Sequence, residues 1–153
     1  MTHQTGDQRY TDLKPMKVGL SDTIRKASVI DLNRTLADTI VLRDLYKKHH
    51  WQVSGPTFRD LHLMYDDHQA QQGELIDQLA ERVMQLGGVS IAMGADAADE
   101  SEIPRPPRDR ENAAAYLIAW RWPTKSFSAL RAKPRAVHQN KAMTALTTSS
   151  SAI

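Results

Sequence analysis

Two long helical runs, separated by a single strong break, limit what this chain can fold into. From Ser28 onward Leu32, Leu36, Ile40 and Leu45 fall near one stripe, Asp31 is placed to start the helix, and Ser54-Gly55-Pro56 ends it. Phe58, Leu61, Met64, Tyr65, Leu75, Ile76, Leu79, Val83 and Leu86 then recur at helical spacings up to Gly87-Gly88, a natural C-terminal stop. Two such helices joined by a short turn form an αα-hairpin. Residues 89–108 read as loop with a short helix near Asp96–Asp99, and no segment alternates as a strand would, so the chain is read as all-α. At 153 residues and 41% hydrophobic it suits one soluble domain. The reading divides it into a flexible N-terminal arm at 1–27, a helical domain at 28–116 and an aberrant tail at 117–153.

The chemistry concentrates on the second helix. At about 100° per residue, His62, Asp66, Asp77 and Glu81 sit at roughly 0°, 40°, 60° and 100° on one helical wheel, so they share a face. Such a face also suits a solvated polar stripe. Two observations favour a metal: the face includes a histidine, and His49-His50-Trp51 brings a second imidazole just before the helix. With Cys at 0, thiolate sites and disulfides are excluded, and histidine with carboxylates is the ligand set of non-haem iron, manganese or zinc. Asp66 and Asp77 are about 16 Å apart along the helix, so one chain cannot bring all four to one ion. Two antiparallel copies crossing near Gln72-Gly73 would set His62 and Asp66 against the partner copy's equivalents of Asp77 and Glu81, giving a symmetric dimer with two composite sites. Gly73 would allow close approach there, although a glycine is also tolerated as a plain weakness in a helix.

LYKKHHWQVSGPTFRDLHLMYDDHQAQQGELIDQLAERVMQLGG, from Leu45 to Gly88, closely resembles the Dps family of ferritin-like proteins. That family's pattern runs His-Trp, Gly-x-x-Phe, Leu-His-x-x-x-Asp and Asp-x-x-Ala-Glu-Arg. The resemblance implies a ferritin-like four-helix bundle, a dodecameric shell and di-iron ferroxidase sites between two-fold-related subunits. It assigns His50, His62 and Asp66 to one chain and Asp77 and Glu81 to the other as iron ligands. Glu81 would bridge two ions, with Asp66 and His62 at the reacting centre. The expected activity is oxidation of Fe(II) by peroxide, with ferric mineral stored in the shell and DNA protected from oxidative damage. Trp51 reads as a packing residue, as a shield of the site or as a group that takes up a stray oxidising equivalent; His49, Asp67 and His68 lie off the ligand face; Arg82 pairs with a carboxylate at a subunit contact or is solvated.

Two other functions compete: a DNA-compacting protein with minor iron chemistry, and a non-functional truncated product. Family members bind DNA through basic terminal arms, but here Arg9, Lys14, Lys17, Arg25 and Lys26 stand against Asp7, Asp12 and Asp22, which equally describes a solvated tail. No apolar run approaches the roughly 18 residues of a membrane span and the N-terminus has no signal-peptide core, so the expected location is cytoplasmic, possibly beside the nucleoid.

The tail breaks the pattern. All 18 acidic residues lie at or before Glu111, whereas Arg121, Lys125, Arg131, Lys133, Arg135 and Lys141 follow without an acid. Pro123 and Pro134 interrupt the helix that Asp109 and Asn112 begin. Joining the third base of each codon to the first two of the next, codons exist for the terminal AMTALTTSSSAI whose bases also spell DDGTNDLIVSD, which resembles the family's GTNDLIVSD segment between its third and fourth helices. Residues after about Leu117 therefore read as a shifted frame, with the third and fourth helices disrupted or missing and a closed shell not expected; a divergent nucleic-acid-binding tail is the rival. Sequencing the coding DNA should show one base lost near codons 116–120. An intact reading frame, with relatives that share the tail, would support the rival.

Overall fold

The computed structural model describes residues 8–112, and these form three helices: α1 (Asp22–Gln52), α2 (Phe58–Gln85) and the short α3 (Gly94–Glu100). α1 contains no Gly or Pro, and its Ser21 cap accepts a hydrogen bond from the Ile24 amide at 3.4 Å. The helix thus begins at Asp22 and not at Asp31, which lies in its interior, and residues 22–27 are helical. The apolar stripe conceals this start because its first inward position is filled by Arg25, a residue normally read as surface.

α1 and α2 pack as the expected hairpin, with three layers of apolar contact. Val29, Val83 and Leu86 fill the end near Gly87, while Leu36, Ala37 and Ile40 meet Ile91 and Ala97 in the middle. Leu42, Leu45, Tyr46, Val53 and Tyr65 fill the end near the interhelical turn. In that turn Gly55 takes φ 100°, which a side chain rarely permits, and Phe58 donates to the Gly55 carbonyl at 3.0 Å.

The far end of α2 closes with a Schellman motif, Gly88 N–H to Val83 O at 3.0 Å and Gly87 N–H to Met84 O at 2.9 Å. Gly87 has φ 81°, and a Cβ on Gly88 would lie 2.6 Å from Val29 Cγ1, so both glycines are required. Arg25, 2% exposed, reaches over this end and donates to the Leu86 carbonyl from Nε at 3.0 Å and Nη2 at 2.9 Å, and to the Lys14 carbonyl. Lys14 N–H in turn donates to the Gly87 carbonyl at 2.8 Å, which ties part of the N-terminal arm to the hairpin.

The chain then returns alongside α1. Asn33 holds it by donating to the Val89 carbonyl at 2.9 Å and accepting from the Ile91 amide at 3.1 Å. Asp38 accepts from Ser101 Oγ at 2.7 Å and the Glu102 amide at 2.8 Å, and Lys48 pairs with Glu111 at 3.0 Å. Where a third helix would begin, at residues 113 and beyond, and throughout the proposed shifted tail, the sequence lies outside the described residues. No helix among the described residues is long and apolar enough to cross a membrane.

Arg25→Met would remove four hydrogen bonds while keeping the apolar stem, stranding the Leu86 carbonyl. We expect a loss of about 2–3 kcal/mol in urea unfolding followed by far-UV circular dichroism. A change below about 0.5 kcal/mol would show that water replaces the guanidinium without penalty.

Candidate metal-binding site

The hairpin brings His50, near the end of α1, against His62 in the second turn of α2. Their rings stack with centroids 3.7 Å apart, and Phe58 lies 5.0 Å from His62. Each ring is held by the other residue's backbone: His50 Nδ1 donates to the His62 carbonyl at 3.0 Å, and His62 Nδ1 donates to the His50 carbonyl at 2.9 Å. The His50 carbonyl belongs to the last turn of α1, where carbonyls lack helical partners. Because a carbonyl only accepts, both protons sit on Nδ1, and in the neutral rings Nε2 keeps the lone pair that binds a metal.

Asp66 stands one turn beyond His62, 51% exposed, with Oδ1 3.7 Å from His50 Nδ1 and 2.7 Å from Lys47 Nζ. The hydrogen bond from Lys47 lowers the Asp66 pKa, aided by the charges of Lys47, His50 and His62 and opposed by desolvation. Asp66 is thus a carboxylate at neutral pH, as an oxygen ligand must be. Lys47 was not legible as part of this cluster, although its place three residues before His50 sets it on nearly the same side of α1.

His50, His62 and Asp66 therefore gather at one end of α2, while Asp77 and Glu81 lie exposed on the same helix about 16 Å farther along. Among the described residues no three His, Asp or Glu side chains converge tightly enough to hold an ion within one chain. A Cβ on Gly73, between the two groups, would meet nothing within 4 Å.

The flanking residues divide. His49 is fully buried, its pKa lowered to about 4 by desolvation and by Lys48, against the opposing charge of Glu111. His68 is half-buried with its ring 5.3 Å from Tyr46, and Asp67 is exposed. Trp51 is 72% exposed among the described residues, and Arg82 bonds Gln85 at 3.2 Å.

A ferritin-like domain model matches residues 31–119. Streptomyces coelicolor DpsC superposes with a TM-score of 0.73 at 42% identity, covering 74% of this chain and 66% of DpsC. The chain belongs to the ferritin-like Dps family. An uncharacterised protein of Kitasatospora aureofaciens is 43% identical over 75% of this chain and 77% of its own length. DNA protection during starvation protein 1 of Deinococcus radiodurans is 43% identical over 57% of this chain and 44% of its own length. The chain thus spans less than half of that Deinococcus relative.

The two carbonyl bonds predict the Nδ1–H tautomer for the neutral rings of both His50 and His62, the opposite of the usual preference in water. Long-range nitrogen-15 correlation spectra of imidazole-labelled protein should show it. Nε2–H forms at both rings would mean that the paired bonds do not persist in solution.

Proposed function

We propose that two copies of this chain cross antiparallel near Gly73 and oxidise ferrous iron with peroxide at two shared sites, storing the ferric product and sparing DNA. His50, His62 and Asp66 of one copy face the partner copy's equivalents of Asp77 and Glu81. The observation that carries this reading is the composition of the ligand face of α2. Ala70, Gly73 and Ala80 lie within about 100° of arc together with the four ligands, as do Leu63 and Met84. Leu63 is 54% exposed and Met84 53% exposed, and small residues between them permit close helix approach. A solvated stripe has no need of such residues.

The chemistry follows from the donor set. Carboxylates and neutral imidazoles bind ferrous ions and hold ferric ions more strongly, which makes iron a ready electron donor. Two ferrous ions supply two electrons; peroxide takes these with two protons and becomes two waters, so no hydroxyl radical is released. In this reading the partner copy's equivalent of Glu81 would supply a carboxylate shared by the two ions, and Asp66 would bind one of them. The name of the Deinococcus relative carries DNA protection to this reading. A twelve-subunit shell around the mineral completes the proposal, and the sequence after residue 112 decides whether it closes.

Two complementary double variants test the shared site. His62→Ala/Asp66→Ala and Asp77→Ala/Glu81→Ala should each lose rapid peroxide-driven iron oxidation, as should Glu81→Gln and Asp66→Asn alone. Refolded together in equal amounts, the two double variants should recover about a quarter of the wild-type rate, because half the dimers are mixed and each carries one intact site. The assay is run on the 153-residue chain and on a chain that continues after residue 112 with the DpsC sequence. No recovery despite proven mixing would overturn the shared site. Salt-dependent DNA retention without iron oxidation would select DNA compaction, and activity only in the DpsC-completed chain would mark the 153-residue form as an incomplete product.

A further inference from the structure

The loop after α3 carries a pattern of its own. IPRPPRDR, residues 103–110, holds three arginines against one acid. Ile103, Arg105 and Pro106 each precede a proline, and Pro104, Pro106 and Pro107 fix their own φ near about −65°, which favours the polyproline II form with its three residues per turn. Burial follows that period. Ile103 and Pro106 are half-buried, Ile103 against the apolar layer of Leu42, Leu45 and Tyr46, whereas Pro104, Arg105, Pro107 and Arg108 are exposed. Arg105 and Arg108, one turn apart, therefore leave the strand on one side, about 9 Å from each other at roughly 3.1 Å per residue. Arg110 follows and is also exposed. The segment is anchored to α1 at both ends: Ser101 Oγ and the Glu102 amide donate to Asp38, and Lys48 pairs with Glu111. Glu102 lies 3.8 Å from Arg34. Asp38, Glu102 and Glu111 are thereby occupied, while Arg105, Arg108 and Arg110 make no ion pair among the described residues.

We propose that this stiff arginine strut, rather than a terminal arm, holds duplex DNA by its phosphates. The inference rests on the DNA protection in the reading above and names the surface on which the DNA lies. Guanidinium groups suit the task, because their paired N–H donors match two phosphate oxygens at once. A rigid pair of cations fits a rigid lattice of anions, which duplex DNA provides at one charge per about 1.7 Å of axis. A strut already fixed by prolines and by its anchors also loses little conformational freedom on binding. The N-terminal arm offers less. Its Arg25 is buried under the end of α2 and paired with Asp22, and Asp12 stands beside Lys14 and Lys17. The strut runs along α1, whereas the proposed crossing of two copies uses the ligand face of α2, so the crossing does not consume it.

The test mixes the full 153-residue chain with a fluorescent duplex of about 40 base pairs and reads anisotropy at about 50 and 200 mM salt. Arg105→Gln/Arg108→Gln/Arg110→Gln should weaken binding at the lower salt by at least about tenfold. It should also flatten the salt dependence: three phosphate contacts account for about a 40-fold loss between the two salts for each chain engaged, and that loss should disappear. Lysine at the same three positions should restore the salt dependence, because an ammonium group neutralises a phosphate as well. Far-UV circular dichroism and iron oxidation should match the wild type in the glutamine variant, since none of the three arginines belongs to the candidate metal site. Wild-type binding in the glutamine variant, with the loss found instead in Lys14→Gln/Lys17→Gln or Arg131→Gln/Arg135→Gln, overturns the strut and moves DNA binding to an end of the chain. Tighter binding of single-stranded RNA of equal length overturns the choice of duplex DNA. No DNA retained by the wild-type chain at the lower salt overturns both the strut and any direct hold on DNA, and leaves the iron chemistry to its own assay.

Discussion

The buried guanidinium of Arg25 sets the register on which the rest of the hairpin depends. It binds the Leu86 carbonyl at the end of α2, the Lys14 carbonyl of the arm and, at 2.8 Å, the Asp22 carboxylate. A cation suits this place because the carbonyls at a helix C-terminus carry partial negative charge. Apolar layers alone resist sliding weakly, since Leu, Ile and Val can exchange neighbours at little cost. A directional contact between residues 25 and 86 does not slide. With that end fixed, the opposite end follows: helices of 31 and 28 residues bring His50 opposite His62.

The same register explains why the proposed sites need two copies of the chain. Along straight α2, His50 and Asp66 gather near His62, while Asp77 and Glu81 stay far along the same helix. Closing the sites within one chain would require bending α2 sharply, and its only glycine, Gly73, lies in unbroken helix. Two-fold symmetry needs no bend, because it repeats one straight geometry at both ends.

Much of this was legible in the sequence because the two helices obey simple periodicity. The break at Ser54-Gly55-Pro56, the stop at Gly87-Gly88 and the short helix near Asp96–Asp99 appear where local residue chemistry puts them. The shared face of His62, Asp66, Asp77 and Glu81 was readable for the same reason, since angle on one helix requires no tertiary information. Hidden features depend on contacts between distant residues. Arg25, which the sequence assigns to the N-terminal arm, and Asn33 and Asp38, which stand outside the apolar stripe of α1, each bind backbone that arrives 56 or more residues later. Lys47 was missed as the partner of Asp66 because an ion pair across a hairpin leaves no periodic trace.

α2 must therefore serve two adjacent faces at once. Tyr65, Ile76, Leu79 and Val83 lie within about 60° of one another and meet α1, while the ligand face begins roughly 40° beyond them. One-residue steps cross this boundary, so Tyr65 and Asp66 differ in surroundings from 1% to 51% exposed. A substitution that repacks the interior near Tyr65 therefore also shifts the Asp66 carboxylate.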